Sequence, residues 1–269
     1  MTWAIVALLS SACFALVSVA DKRLLSWHMP SVRSYYLWLG TSVILFAIIV
    51  LLFSGVPNDV KVDQLIVAYI SGLSWGLGLV CLFQALKQEE VSRAVAIYHI
   101  FPVFVAIFAV VFLDESLNLG QWLSIMVVVI GAILISLHSL SKSALVSAYH
   151  ALPLLLMASF MTALGHFASK VALDDLPVNS VYVFRNLGMG TLLMLFARPS
   201  TLKESLSVFK DRTTVILLFI VLAILVPTSV ILTLLAISLG QVSLVATLIA
   251  TRPFFVFIYS VILSFHPIR

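Results

Sequence analysis

Nine apolar runs dominate this sequence, and each is about as long as a membrane is thick. They cover approximately residues 2–20, 34–53, 64–86, 94–113, 118–137, 150–172, 178–197, 214–236 and 242–265. A helix needs roughly 20 apolar residues to cross a hydrocarbon core about 30 Å thick. Inside lipid every backbone N–H and C=O must be paired within the protein, and runs of this length achieve that only as helices. The sequence therefore predicts an all-α fold, a polytopic membrane helical bundle with about nine transmembrane helices.

The composition excludes most other classes of protein. Of the 269 residues, 62% are hydrophobic and 10% are charged, which is more apolar surface than one soluble core buries. The formal charge of +4 does not indicate nucleic acid binding, because so little of the chain is left to form a soluble surface. Cys13 and Cys81 both lie inside apolar runs, so we expect neither a disulfide framework nor a cysteine metal site. No Lys or Arg precedes the first run, which we interpret as a membrane anchor rather than a cleaved signal.

The basic residues are unevenly distributed among the connections between runs. Eleven of the 15 Lys and Arg lie in the odd-numbered connections or in the C-terminal tail, whereas the even-numbered connections carry Lys61 and Lys170. The positive-inside rule then places the odd-numbered connections in the cytoplasm and the amino terminus outside. We expect a multi-pass protein of the plasma (inner) membrane, with the longest connection, 198–213, as a cytoplasmic basic loop.

The sequence also contains an internal repeat. Ala85–Phe108 aligns with Ala236–Tyr259 at a shift of 151, which places Pro102 on Pro253. A second, weaker alignment, at a shift of 147 to 148, places Lys22 on Lys170 and Tyr35 on Tyr182. Because the first repeat contributes an odd number of spans, the second must cross the membrane in the opposite direction. The repeat is therefore predicted to be inverted, as in many alternating-access transporters.

The repeat divides the chain into two units. Residues 1–140 form a first repeat of five helices, and residues 141–269 form a second repeat in which four helices are present. We expect an inverted five-plus-five bundle that lacks its tenth helix. Two explanations stay open at this point: the chain is a fragment of a longer protein, or it is a natural nine-span variant.

Four features together resemble the EamA-type transporters of the drug/metabolite transporter superfamily. They are the Ala85–Ser92 turn leading into RAVAIYHIFPVF, the pair Asp114-Glu115 after that helix, the following span GQWLSIMVVVIGAILIS, and the repeated segment RPFFVF. The resemblance implies a ten-helix exporter or importer of small metabolites, with a central cavity between the halves. This sequence departs from the family pattern in two ways. It lacks the tenth helix, and its loop charges favour an amino terminus outside the cytoplasm.

Charges at membrane depth suggest which substrates the protein carries. The acidic residues all lie in predicted connections or at span ends, so the sequence predicts no carboxylate at membrane depth and disfavours a proton-coupled pump for lipophilic cations. Arg252 lies about ten residues into its span, where a guanidinium costs roughly 2.5–3.5 kcal/mol. Either it pairs with backbone carbonyls such as that of Ile249, which Pro253 leaves without an N–H partner, or it faces a cavity and binds a carboxylate or phosphate.

Other polar and aromatic residues lie within the predicted spans. Arg185 is interpreted either as a substrate ligand or as an anchor to the headgroups or to the Asp174-Asp175 loop. His99 is either a proton relay or a neutral imidazole bonded to a helix carbonyl. Thr162, His166 and Lys170 follow at intervals of four on one helix face, which forms either a polar cavity wall or a set of interhelical hydrogen bonds.

The remaining candidates are aromatic residues, glycines and prolines. Trp75 either packs or stacks on a substrate, and the Gly72-x-x-x-Gly76 pattern beside it favours close helix packing. Tyr98 completes the set of predicted substrate-binding residues: Arg252, His99, Trp75, His166, Thr162, Tyr98 and Arg185. The predicted helix breaks or hinges are Pro102, Pro227 and Pro253.

These observations predict a secondary transporter that moves small metabolites by alternating access. We expect export of an anionic or zwitterionic solute such as an amino acid or organic acid, because cationic side chains lie at depth and carboxylates are predicted not to. A passive uniporter or channel without ion coupling is the alternative. We expect no enzyme, cofactor, metal or nucleic acid partner, since no Walker loop, HExxH motif or catalytic set is present. The expected partners are a small-molecule substrate and the lipid bilayer, and the sequence leaves open a homodimer.

Overall fold

The computed structural model describes residues 2–55, 60–86, 97–136, 142–197 and 201–265, with side chains described outside 135–136, 142–150 and 263–265. The described chain is helical and contains no strand. The helices are α1 (Thr2–Arg23), α2 (Val32–Ser54), α3 (Val62–Ala85), α4 (Phe101–Phe112), α5 (Leu119–Ser136), α6 (Lys142–Asp175), α7 (Val178–Phe196), α8 (Thr201–Leu206), α9 (Arg212–Phe219), α10 (Val226–Leu239), α11 (Val242–Ile249) and α12 (Arg252–Phe265). The predicted all-α class is confirmed.

Six helical segments of the described chain are long and apolar enough to cross a membrane, and a seventh is added if α7 and the helical segment after it form one bent span. The six are Thr2–His28, Val32–Ser54, Val62–Ala85, Ala151–Asp175, Arg212–Leu239 and Val242–Ile262. Two shorter apolar helices, Phe101–Phe112 and Leu119–Leu134, lie within the fourth and fifth predicted runs. The protein is therefore an integral, multi-pass membrane protein, and the predicted polytopic bundle is confirmed.

The connection 198–213 differs from its prediction as a loop. From Thr201 to Lys210 the chain forms α8 followed by a 3₁₀ turn, and Thr201 and Ser205 are buried. The Phe209 ring packs edge-on against Trp38 of α2, with the ring centroids 5.3 Å apart. This ring contact and the buried Thr201 and Ser205 anchor the segment to the bundle.

The helices of the two predicted halves pack against one another. Helix α1 packs against α10, and α6 packs against α3. Helix α1 also contacts α11 and α12, whereas α6 contacts α4. If α1 corresponds to α6 and α3 to the span Arg212–Leu239, as the repeat predicts, each interface has its counterpart in the other half. The inverted layout and the division into 1–140 and 141–269 stay predictions that this packing pattern favours.

Glycines bring α3 and α7 into backbone contact. A Cβ atom at Gly72 would lie 1.8 Å from the carbonyl oxygen of Arg185. A Cβ atom at Gly188 would lie 2.1 Å from the carbonyl oxygen of Tyr69. Only glycine permits so close an approach, and this supports the packing interpretation of the Gly72-x-x-x-Gly76 pattern.

The backbone is irregular at all three predicted prolines. Helix α4 begins at Phe101, after a turn at 99–100, and α12 begins at Arg252, after a turn at 250–251. In both helices proline is the second residue, where its missing N–H would have had no intrahelical acceptor. Pro227 follows a π-helical turn, Ile220–Leu225, at the start of α10. Helices α4 and α12 thus begin beside Pro102 and Pro253, whereas the chain stays helical through Pro227 from Arg212 to Leu239. The role of the three prolines as helix breaks or hinges stays a prediction.

Candidate functional site

Arg185, on α7, lies in the interior of the bundle. Its side chain is 2% exposed, and its guanidinium carbon lies 4.9 Å from the centroid of the Trp75 ring on α3. The backbone contact at Gly72 sets this geometry, because it fixes the height of Arg185 beside α3. The Nη1 atom is buried and has no hydrogen-bond partner among the described residues. A buried cation whose donor is unpaired is costly unless an anion binds to it.

Arg252 is the first residue of α12, directly after the helix break. Its guanidinium carbon lies 4.6 Å from the centroid of the Phe14 ring on α1. Its Nε atom is buried, and no group in the described part of the chain forms a hydrogen bond with it. The Ile249 carbonyl, which Pro253 leaves unpaired, accepts a hydrogen bond of 3.1 Å from the Ser11 hydroxyl. Ser11 thus occupies one of the two lone pairs of this carbonyl, and the pairing of Arg252 with freed carbonyls stays a prediction.

The two arginines stand on neighbouring aromatic rings. Phe14 and Trp75 are in contact, with centroids 5.8 Å apart and planes tilted by 55°. A cation is attracted to the face of an aromatic ring, and this attraction is stronger where water is excluded. Helices α1, α3, α7 and α12 thus place two guanidinium groups around one aromatic pair.

His166 lies beside this pair, on α6. Its ring is buried and stacks on Phe101, with centroids 5.6 Å apart and planes at 27°. It lies within electrostatic range of both Arg185 and Arg252. Its Nδ1 atom has no hydrogen-bond partner within the described ranges. The imidazole therefore offers a further polar atom to a ligand between the arginines.

Tyr98, Thr162 and His99 border the same region. The Thr162 hydroxyl donates a hydrogen bond of 3.3 Å to the Tyr98 hydroxyl, which links α6 to the segment before α4. The Tyr98 phenol lies within electrostatic range of both Arg185 and Arg252. The His99 ring is buried against Tyr98, with centroids 5.3 Å apart. Hydroxyl groups near two cations are suited to orient the oxygen atoms of a bound anion.

The structure brings all seven predicted site residues into one interior cluster. One alternative for Arg185 is wrong, since a side chain 2% exposed does not reach the headgroups. Nor does Arg185 pair with the acidic loop, where Asp174 instead contacts the Lys170 ammonium at 3.1 Å. Thr162 and His166 point into the cluster, whereas Lys170 lies at the end of α6.

Asp21 was missed as a candidate site residue, and the absence of a carboxylate at membrane depth stays a prediction. Helix α1 continues through Asp21 and ends in a π-helical turn at His28, so the carboxylate lies inside the span Thr2–His28. It accepts a hydrogen bond of 2.5 Å from the fully buried Tyr35 hydroxyl and interacts electrostatically with Arg252. The signal in the sequence is spacing, because Phe14 and Asp21 are two helical turns apart on one face.

The fold and the interior cluster define a class: a polytopic helical membrane protein with cationic groups at its centre. The family model of the EamA-like transporter family matches residues 1–137, and the chain belongs to that family. It is a membrane transporter, and the resemblance that the sequence motifs suggested is confirmed.

Two curated relatives are similar to parts of the chain. A protein of Sinorhizobium sp. named as an uncharacterized transporter in the cobO 3'region is 29% identical over 140 residues, 50% of this chain and 96% of the relative. An uncharacterized protein of Methanocaldococcus jannaschii is 27% identical over 104 residues, 38% of this chain and 76% of the relative. A solved crystal structure has a similar fold, with a TM-score of 0.76 at 15% identity, and the match covers 98% of this chain and 89% of that one.

Proposed function

We propose that this protein is a secondary transporter of a small anionic or zwitterionic solute, such as an amino acid or organic acid. The observation that carries the proposal is the pair of guanidinium groups of Arg185, which is buried, and Arg252, which is half-buried. Each has one buried nitrogen without a hydrogen-bond partner among the described residues. Arginine binds carboxylate and phosphate groups through parallel N–H···O bonds, and it does so best where water is excluded. A carboxylate between the two side chains would accept hydrogen bonds from the unpaired nitrogens of both arginines.

The balance of charge around the cluster supports an anionic ligand. Asp21 interacts electrostatically with Arg252, whereas Arg185 interacts with the Tyr98 phenol. Two cations therefore face one carboxylate, and the cluster carries a net positive charge when Asp21 is ionised. An isolated charge in a medium of low dielectric constant attracts a counter-charge strongly. A lipophilic cation would be repelled.

Alternating access is the mechanism that the architecture favours. The cluster lies where helices of both predicted halves meet. Helices α4 and α12 each begin beside it, after a non-helical turn of two residues. Rocking one half about the other would expose the arginines to each side of the membrane in turn. We further propose export across the plasma (inner) membrane, with the amino terminus outside.

A flux screen in proteoliposomes tests the proposal. Labelled amino acids, organic acids and lipophilic cations are loaded, and their release is compared between the native protein and the variants Arg185→Gln and Arg252→Gln. We expect release of anionic or zwitterionic solutes that falls at least tenfold in both variants. Arg33→Gln, at an exposed arginine of α2, is the matched control and should release solute at the native rate.

The same vesicles separate coupled transport from passive conduction. Imposed proton and sodium gradients are applied in turn, and accumulation of the solute against its own gradient is measured. Accumulation supports a coupled secondary transporter, whereas flux that always stops at equal concentrations would identify a uniporter or channel. Preference for lipophilic cations would contradict the proposed substrate class.

A further inference from the structure

A cavity of about 540 Å³ lies at one end of the bundle, away from the arginine cluster. Its walls come from the start of α1, the segment after α4, the end of α6 and the turn between α10 and α11. Trp3 on its rim is eleven residues from Phe14 along α1, a rise of about 16 Å. A cavity of this size falls within the range of small-molecule sites. The lining residues are Trp3, Glu115, Lys170, Ser238, Leu239, Gly240, Gln241 and Leu244.

The cavity wall carries one fixed carboxylate. The Oε1 atom of Glu115 accepts a hydrogen bond of 2.7 Å from the Val242 N–H, and its Oε2 atom accepts from the N–H and hydroxyl of Ser243. Glu115 therefore caps the first turn of α11. A carboxylate offers about four lone-pair directions, and these contacts use three of them. One direction is left for a donor in the cavity.

The wall also carries a cation, Lys170. The Lys170 ammonium contacts the Asp174 carboxylate at 3.1 Å, one turn further along α6. An ammonium group has three N–H donors, so this contact leaves two of them for other acceptors. Lys170 and Glu115 thus place opposite charges on the wall of one cavity. The side chains of Ser238 and Gln241 add neutral polar groups between apolar ones.

One face of α6 runs from the cavity to the arginine cluster. Lys170, His166 and Thr162 follow at intervals of four residues, so they lie one above another on that face. The rise from Lys170 to Thr162 is about 12 Å. His166 is already within electrostatic range of both arginines. A solute leaving the cavity along this face would meet polar side chains at each turn.

We propose that this cavity is a second binding site of the transporter, for a small solute that carries both an ammonium and a carboxylate group, as a free amino acid does. The solute's carboxylate binds Lys170, its ammonium group binds Glu115, and the Trp3 indole covers its side chain. The inference rests on the proposed transport function and narrows its substrate class to zwitterions. A phosphatidylethanolamine headgroup offers the same pair of charges, so the test must separate a lipid from a soluble solute.

Three size-matched probes test this site: alanine, propionate and ethylamine. Binding is measured in phosphatidylcholine nanodiscs with the variant Arg185→Gln/Arg252→Gln, whose interior cluster has lost its cations. We expect one alanine to bind per protein, and propionate and ethylamine to bind at least tenfold more weakly. If this double variant does not fold, the native protein is used, and it should bind two alanines.

Charge removal in the cavity gives the second half of the test. Lys170→Gln should weaken alanine binding at this site at least tenfold, and Glu115→Gln should do the same. Ser238→Ala, which removes a neutral hydroxyl from the same wall, is the matched control and should keep the affinity within twofold. Lys170→Gln leaves the α11 cap intact, so it decides the question if Glu115→Gln does not fold.

Three results would overturn the inference. They are alanine affinity unchanged in Lys170→Gln, propionate binding as tightly as alanine, and displacement of alanine when phosphatidylethanolamine is added to the nanodiscs. Failure of the proposed transport function has a different signature, since flux would then be insensitive to Arg185 and Arg252 while alanine still bound in the cavity.

Discussion

Arg185 and Trp75 form a buried cation–π pair, with the guanidinium carbon 4.9 Å from the ring centroid. The pair joins α7 to α3 where their backbones touch, and it holds one unpaired guanidinium nitrogen at the centre of the bundle. The ring orients the cation without using any of its N–H donors. The unpaired Nη1 atom is therefore left for a ligand.

Removing the Trp75 ring should therefore cost both stability and transport. We expect Trp75→Leu to lower the free energy of unfolding by about 2 kcal/mol or more, the size of a desolvated cation–π contact. Trp75→Phe should recover part of the loss because it keeps a ring. Thermal unfolding in detergent measures the change, with Trp27→Leu as control, since Trp27 is 83% exposed. Equal melting temperatures for the two leucine variants would contradict the pairing.

The contact between α3 and α7 makes a second prediction. In Gly72→Ala the new methyl group would lie 1.8 Å from the Arg185 carbonyl oxygen, so the helices must separate. Overpacking of this kind typically costs 1–3 kcal/mol or more, and we expect loss of monodisperse protein in size-exclusion chromatography. Gly131→Ala is the matched control, because no atom lies within 4 Å of a Cβ at Gly131. Normal yield of Gly72→Ala would show that this contact is not required.

The carboxylate of Asp21 should weaken anion binding at Arg252. Asp21→Asn removes the opposing charge but keeps a polar group for the Tyr35 hydroxyl. We expect the variant to bind a carboxylate substrate about fivefold more tightly, the low end of coupling between interacting sites. Equilibrium binding to native and variant protein measures this. An unchanged or weaker affinity would mean that Asp21 does not compete for Arg252.

Asp211 predicts a pH dependence at the start of α9. A hydrogen bond from the Thr214 hydroxyl and another from the Thr213 N–H hold the pKa of Asp211 below its ordinary value of 3.8. Because the folded pKa is lower than the unfolded one, the ionised cap stabilises the protein fully above the unfolded pKa. This stabilisation is lost as the pH falls through the folded pKa.

The variant Asp211→Ala tests this dependence. It should melt at a lower temperature than the native protein at pH about 6, because it lacks the helix cap. The difference should shrink as the pH falls below 3.8, the ordinary pKa of an aspartate, and the native carboxyl group becomes protonated. Melting curves across this range provide the measurement, and a difference independent of pH would contradict the argument.

Much of the fold could be predicted from the sequence because lipid allows few alternatives. The long apolar runs had to be helices, and proline marked the breaks before Pro102 and Pro253. The extent of α1 could not be predicted, since Asp21, Lys22 and Arg23 are typical of a loop. The hydrogen bond from Tyr35 on α2 and the charge of Arg252, which lies far along the chain, make the helical position of Asp21 favourable.

The candidate site was predictable by residue type but not by geometry. Arg185 and Arg252 stood out because cations within apolar runs are rare. Their placement on the touching rings of Trp75 and Phe14 depends on how four helices pack, and no periodicity in one helix reports it. Phe14 is a single phenylalanine in an apolar run, so its role emerges only in three dimensions.

The central claim is that Arg185 and Arg252 hold the negative charge of the substrate. It is tested most directly by comparing each flux-active carboxylic acid with its isosteric amide as competitors for binding to the native protein and to Arg185→Gln. We predict that the native protein prefers the acid at least tenfold and that Arg185→Gln loses most of this preference. Equal binding of acid and amide to the native protein, or a preference that survives the substitution, would contradict the claim.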